Sequence, residues 1–367
     1  MTRNKQAGLF GAPTDPLWEG MPEFHQEDLR PWRTVKVHLS SEEDYRAFRD
    51  AIGAANLRAC GYMNTRSFWF PPREPVSWTD RHWVSTTGHG TPRYPVYIIS
   101  KGRARTGQTA RELAAMGVPF SLVVEPQEAD EYRAWGVGPV LVLPFANLGQ
   151  GSIPARSWVW DHATSTGAAR HWILDDNIAG FHRTHQNTEY RMGDGSGFRV
   201  VEDLADRYEN VPMAGLEYKA FVPTVSPTTP VHKNTRVYSM ILLSNAERDR
   251  IGWRGRFNED TDLSLRYLKR GDCTLLCNAF TGHKVATQTM GGGNTHEVYG
   301  DTDERREFAE SLQRQHPDVV TIRREYGRWH FSVDYRGFQA NRLEQRPDAD
   351  LTPRDYGLRL VDRPRTP

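Results

Sequence analysis

The sequence predicts an α/β fold with a mostly parallel central sheet flanked by helices, and three observations carry that expectation. Between residues 96 and 142 short apolar runs alternate with amphipathic helical patterns; glycines close those helices; and a fourth apolar run, His171-Trp172-Ile173-Leu174, runs straight into two carboxylates, Asp175 and Asp176. Successive strand-helix-strand units imply parallel strands joined by crossover helices.

The elements follow in order. Residues 1–34 mix Pro, Trp and charge without a period and read as an irregular lead-in. From residue 35, VKVHL alternates like a strand. Ser40 with Glu43 forms a capping-box pair, and EDYRAFRDAIG sets Tyr45, Phe48 and Ile52 on one helical face before Gly53. TRSFWFPP then supplies an aromatic strand stopped by Pro71, which makes a small βαβ-like module too short to hold an extensive core alone.

After the stretch TTGHGTPRYP come the strand VYIIS, a helix in RTGQTARELAAMG closed by Gly117, the strand FSLVVE, the helix EADEYRAWG and the strand GPVLVLP. RHWILDD is the fourth strand. GLEYKAFVP and RVYSMILLS are further strands, EDTDLSLRYLKRG is a helix ending at Gly271, and CTLLCNAF is another strand. Residues 303–314 read as a charged helix and VVTIRREYGRWHFSVDYRGF as two strands turning near Gly327. Pro347, Pro353, Pro364 and Pro367 mark a loosely held tail. The expected division is a lead-in and small α/β module over 1–90, the main domain over 91–300, a helix and hairpin over 301–345, and a tail over 346–367.

Composition narrows the functional classes. Lys and Arg total 47 against 46 for Asp and Glu, a net charge of +1, so any contact with nucleic acid or anionic lipid must be local. Cys60, Cys273 and Cys277 form neither a CxxC pair nor a disulfide framework, which favours a reducing cytoplasm. The opening MTRNKQAGLFGAP has no apolar run fit for a signal peptide, and no run of about 18 apolar residues suggests a membrane span.

In an open parallel sheet, ligands bind beyond the carboxyl ends of the strands, where loops and helix N-termini converge. At such an end, SKGRARTG offers Ser100, Lys101, Gly102, Arg103 and Arg105 to a phosphate or base, without matching a Walker A or GxGxxG pattern; the plain alternative is a solvated basic loop. Glu125 closes the second strand, where a carboxylate can accept from a ribose or base or merely sit in a turn. Arg156 in GQGSIPARSW would pair with a diphosphate or form a structural ion pair.

Asp175-Asp176-Asn177 suits a turn or a helix cap. Two adjacent like charges at the end of a buried strand also repel unless something positive intervenes, and a divalent cation bridging carboxylate and substrate phosphate is a usual remedy. Glu259, Asp260 and Asp262 open a helix, where the dipole alone favours acids, yet they follow Trp253, Arg254 and Arg256 in an aromatic and basic loop. A carboxylate there would activate an acceptor hydroxyl. Finally, Gly291 to Gly293 precede Asn294 and His296, a flexible segment able to close over a ligand.

The strings YIISKGRA, GSIPARSW, HWILDDNI and WRGRFNEDTDLSLR are similar to those of the TET-associated glycosyltransferases of bacteriophages, over about residues 94–300. The resemblance implies a GT-A-like, Rossmann-like fold and transfer of a sugar from a nucleotide donor, UDP-linked by expectation, to the hydroxyl of 5-hydroxymethylcytosine or 5-hydroxymethyluracil in DNA. By the same resemblance, Asp175 and Asp176 become metal and diphosphate residues for Mn2+ or Mg2+, with His296 as a third ligand. Ser100, Lys101, Gly102, Arg103, Glu125 and Arg156 become nucleotide-sugar contacts, and Glu259 or Asp260 the base. Trp253, Arg254 and Arg256 are the acceptor-side candidates for DNA, with Arg323, Arg324 and Arg328 on the terminal hairpin. Asp175-Asp176-Asn177 departs from the Asp-x-Asp pattern, which leaves open the carboxylate that holds the metal. Two other readings stand beside this one: a nucleotidyltransferase with a metal-bound nucleotide, and an inactive DNA- or protein-binding module on the same fold.

Overall fold

A computed structural model describes residues 15–52, 58–59, 66–67, 81–255, 257–285, 304–325 and 328–362. The chain divides into two compact units, residues 29–80 and the remainder. In the smaller, helix α1 (Glu42–Ala51) is capped by Ser41, whose Oγ accepts from the Asp44 N–H at 3.1 Å. The cap therefore falls one residue beyond the expected Ser40–Glu43 pair. A short antiparallel pair joins β1 (Arg58–Ala59) to β2 (Arg66–Ser67). The VKVHL run forms no strand: among the described residues nothing pairs with it, and Val35, Val37 and Leu39 are exposed. Alternation supplies two faces but not the partner whose backbone groups a strand requires.

The larger unit is built on one mixed sheet. Its strands are β3 (Arg81–Ser85), β4 (Val96–Ile99), β5 (Ser121–Val124), β6 (Val140–Val142), β7 (Arg170–Asp175), β8 (Ile178–His185), β9 (Thr188–Met192), β10 (Met213–Tyr218), β11 (Val231–Lys233), β12 (Met240–Ser244), β13 (Thr274–Lys284) and β16 (Leu358–Asp362). The order is β16-β3-β9-β8-β13-β10-β12-β7-β4-β5-β6, with β11 on β13. The half formed by β7, β4, β5 and β6 is parallel throughout, so the fourth strand of the sequence pattern lies beside the first. Antiparallel β12 joins this block to β10, which runs parallel to β13.

Both sheet faces are buried, as the uninterrupted apolar strands require. Ile98, Trp172 and Leu174 pack on one face with Leu113, Tyr132 and Phe198 from α2 (Gln108–Ala115), α3 (Ala129–Trp135) and α5 (Ser196–Ala205). Tyr97 and Ile173 pack on the other with Trp160 and Leu263 from α4 (Ile153–Ser165) and α6 (Glu259–Arg270). Gly136 and Gly271 end α3 and α6 in the left-handed conformation that a glycine adopts without strain.

Helix α7 (Glu304–Gln315) and the antiparallel hairpin of β14 (Val320–Glu325) and β15 (Arg328–Val333) form a small satellite core around Leu265, Leu312 and Val320. The proline-rich end departs from the expected loose tail. β16 pairs with β3 along its whole length, and Tyr356 and Leu358 are buried. Its prolines flank a strand whose own five residues, LRLVD, contain none. Among the described residues, no helix is long and apolar enough to cross a membrane.

Candidate active site

The parallel register brings Ile99 level with Asp175, and Asp175 N–H donates to the Ser239 carbonyl at 2.9 Å. The ends of β4, β5, β7, β10 and β13 and the start of β12 thus meet at one edge, around a cleft of about 470 Å³. Ser100, Lys101, Arg103, Glu125, Arg156, Asp175, Asp176, Glu259 and Asp260 all line it.

The adjacent carboxylates solve their repulsion by pointing apart, as successive strand positions do. Asp176 is buried, and its carboxylate accepts from Ser100 Oγ at 2.7 Å and from the Arg103 guanidinium. Burial pushes this carboxyl up, and Arg103 opposes the rise. Its carbonyl receives the Gln108 and Thr109 N–H groups at 2.9 and 3.2 Å, so the open end of α2 locks the end of β7. Asp175 instead faces the cleft, accepting from Arg156 Nη2 at 3.1 Å, Ser239 Oγ at 2.6 Å and Lys284 Nζ at 3.1 Å. Burial alone would raise its carboxyl, but Lys284 and Arg156 bring it down to about 2.

The loop after β4 wraps around the buried Tyr132. Its hydroxyl accepts from Arg103 N–H at 3.0 Å and shares a 2.6 Å hydrogen bond with Ser100. Gly102, at φ +63°, turns its N–H onto Glu128, and Lys101 reaches Glu125 at 3.5 Å. Ser100 and Arg103 therefore serve the loop and Asp176 directly.

Glu259 and Asp260 at the start of α6 have unequal surroundings. Glu259 accepts from Ser152 Oγ at 2.6 Å and Arg156 Nε at 3.0 Å. Asp260 accepts from the Thr261 N–H at 2.7 Å and has no ion-pair partner among the described residues. Burial and the neighbouring Glu259 push its carboxyl up to about 6, against the pull of Arg156. Arg156 is almost wholly buried between Asp175 and Glu259, and its Nη1 has no hydrogen-bond partner among the described residues. This leaves the Nη1 amino group of a cleft-lining guanidinium without a protein acceptor among those residues.

The acceptor-side residues fall differently. Trp253 is buried beneath the Arg156 guanidinium, 5.0 Å from its ring centroid, with an edge toward Trp160. Arg254 grips the buried Asp262, which also accepts from Arg266 and pairs with His316. Neither lines the cleft; the aromatic and basic character of that loop serves packing and an ion-pair hub. Arg256, the Gly291–Gly293 segment, Asn294 and His296 lie outside the described residues.

Residues 94–293, just over half of the chain, match the family model described as TET-Associated Glycosyltransferase. The chain belongs to that family. Every residue lining the cleft falls within the matched stretch. No curated protein matches this glycosyltransferase significantly. Solved structures that match include the glycosyltransferase GlyE of Streptococcus pneumoniae, 12% identical over 42% of this chain and 35% of that one, with a TM-score of 0.23. Another is the mannose-1-phosphate geranyltransferase from Thermus thermophilus, 14% identical over 52% and 58%, at a TM-score of 0.22. The chain spans about a third of the first and somewhat over half of the second.

The resemblance brought an expected divalent cation to this TET-associated glycosyltransferase. Among the described residues, no three His, Cys, Asp or Glu side chains converge on one point. Asp176 does not fit the role, since it is buried and serves Ser100 and Arg103. Asp175 is the more exposed of the two, but its oxygens already meet Arg156, Ser239 and Lys284, so a divalent cation would have to share this carboxylate with those donors, with substrate phosphates and water completing its shell.

Cleft residues that escaped the sequence reading include Tyr218, Phe221, Arg236, Tyr238, Ser239 and Lys284. Lys284 lies 109 positions from the aspartate it serves, and only the end-of-strand rule, applied to β13, points to it.

Proposed function

We propose that this glycosyltransferase moves a sugar from a uridine diphosphate donor to the hydroxymethyl oxygen of a 5-hydroxymethylpyrimidine in DNA. The observation that carries the reading is one cleft that sets a cation-flanked Asp175 against an Asp260 with no ion-pair partner among the described residues. The first arrangement suits a diphosphate leaving group and the second a general base.

In this reading, Lys101 and Glu125 contact the nucleoside, while Arg156 and Lys284 face the diphosphate. Asp260 takes the proton of the acceptor hydroxyl as its oxygen bonds to the anomeric carbon. The bond from that carbon to the diphosphate oxygen breaks, and the diphosphate departs with the electron pair. Charge on the leaving oxygens then meets the field of the Arg156 guanidinium and the Lys284 ammonium, cations already placed along the cleft before the reaction. Mg2+ or Mn2+ held through Asp175 would add Lewis-acid stabilisation of the same leaving group. Glu259, tied to Arg156 and Ser152, acts as a positioning residue.

Incubation with hydroxymethylated DNA and a panel of nucleotide sugars, with and without EDTA, followed by nucleoside mass spectrometry, tests the proposal. The expected result is a hexose-sized mass gain with release of nucleoside diphosphate and a lower yield in EDTA. Release of pyrophosphate would mark nucleotidyl transfer instead, and no mass gain with any donor would overturn the assignment.

A further inference from the structure

We infer that Phe221 and Arg236 form the subsite for a single acceptor nucleotide swung out of the DNA duplex. The inference rests on the DNA acceptor proposed above and adds the way the base is presented.

Phe221 lines the cleft just after β10 yet is 59% exposed, unusual for a large apolar side chain beside a reactive site. Its ring centroid lies 5.8 Å from that of Tyr218, which stands 4.4 Å from Tyr238, so an aromatic wall leads from solvent inward. Arg236 stacks over the Tyr238 ring at 4.8 Å. The other cations lining the cleft each have a carboxylate partner: Lys101 has Glu125, Arg103 has Asp176, and Arg156 and Lys284 share Asp175. Arg236 has no carboxylate at ion-pair distance among the described residues; Glu217 acts on it only from behind Tyr238, whose hydroxyl donates to that carboxylate at 2.6 Å, so the guanidinium can still take an anion from outside. A π-face next to an unneutralised guanidinium suits a nucleobase with its own phosphate. A cleft of about 470 Å³ holds a small ligand and not a duplex, so the base must leave its stack to bring its hydroxymethyl group to Asp260.

The test is fluorescence anisotropy with an oligonucleotide carrying one 5-hydroxymethylcytosine, single-stranded and duplex, in the presence of UDP. Wild type is compared with Phe221→Ala, Phe221→Trp, Arg236→Gln and Arg236→Lys. UDP affinity of each variant is measured by calorimetry to monitor the donor site and the fold. The expectation is single-strand binding at least as tight as duplex binding, weakened about five- to hundredfold by Phe221→Ala and restored by Phe221→Trp. Arg236→Gln should lower the slope of log affinity against log salt by about one, and Arg236→Lys should keep it. Unchanged DNA affinity and salt slope in Phe221→Ala and Arg236→Gln would overturn the subsite and leave the proposed reaction standing. Parallel loss of UDP affinity would assign the wall to the donor and overturn it equally. If wild type binds no hydroxymethylated DNA yet releases UDP from a UDP-sugar, the DNA acceptor itself fails and the subsite with it.

Discussion

Lys284, at the end of β13, donates to Asp175, at the end of β7, across a gap of two intervening strands. Its ammonium also donates to Ser239 Oγ at 2.9 Å and lies 5.4 Å from the Tyr218 ring centroid. This lysine therefore keeps a positive charge beside the carboxylate that faces the donor. Lys284→Met should lower kcat by about 100- to 1,000-fold, the usual loss when one preorganised charge-stabilising donor is removed. Asp175 retains Arg156 and Ser239 in the variant, so circular dichroism should show a native fold. Near-normal kcat in a folded Lys284→Met protein would remove the residue from the mechanism.

Asp260 gives the reaction a pH dependence of definite sign. A general base works ionised, and this carboxyl is raised to about 6, so kcat/KM should climb as pH rises through about 6 and level off above it. A carboxyl raised above its unfolded value favours folding while protonated. That contribution is full below about pH 4 and is lost as pH rises through about 6. Asp260→Asn should thus lose about 100- to 10,000-fold in kcat while gaining of order 1–2 kcal/mol in urea stability at pH 7. Loss of both activity and stability would show that the charge serves the fold.

The parallel block was legible because each of its strands is a continuous apolar run followed by a glycine-closed helix, a pattern written locally. Asp175, Asp176, Glu259 and Asp260 could be singled out because acids at strand ends and helix starts are conspicuous in one dimension. Their division of labour could not be read. Whether a carboxylate is neutralised depends on Lys284, Arg156 and Arg103, which come from three different elements and meet only through the sheet register. The Trp253 loop shows another limit, since its aromatic and basic run holds a buried indole and an ion-pair hub around Asp262, with Arg254 still about half exposed. β16 was hidden because a strand completed by a partner more than 270 residues away leaves little local pattern beyond five residues.

Glu202 on α5 is fully buried and holds the approach to β4, accepting from the Arg93 N–H at 2.8 Å, the Tyr94 N–H at 3.2 Å and Trp172 Nε1 at 2.9 Å. Burial raises its carboxyl to about 7 despite these donors. Its contribution to stability is full below about pH 4.5 and declines as pH rises through about 7, by up to roughly 3 kcal/mol. Glu202→Gln abolishes that decline but turns an amide N–H toward a backbone N–H or the indole N–H, which should cost about 1–3 kcal/mol at acidic pH. Urea midpoints of both proteins between pH 4.5 and 8 should converge as pH rises; parallel curves would show that Glu202 does not titrate in this range.

The two adjacent aspartates should separate cleanly by experiment. Asp176 is buried against Ser100 and Arg103, whose side chain is only 12% exposed, so Asp176→Ala breaks a buried ion pair and should cost about 3–5 kcal/mol of stability. Asp175 has a carboxyl depressed to about 2, so its contribution is present above about pH 4 and is lost as pH falls through about 2; it amounts to roughly 2 kcal/mol at neutral pH. Asp175→Asn should therefore remain folded at pH 7 while losing kcat by about 100-fold or more, because Arg156 and Lys284 lose the carboxylate that holds them in place beside the leaving group. Urea denaturation paired with steady-state kinetics on the two variants reads both effects. A stable but inactive Asp176→Ala beside an active Asp175→Asn would reverse the assignment and make Asp176 the carboxylate that meets the donor.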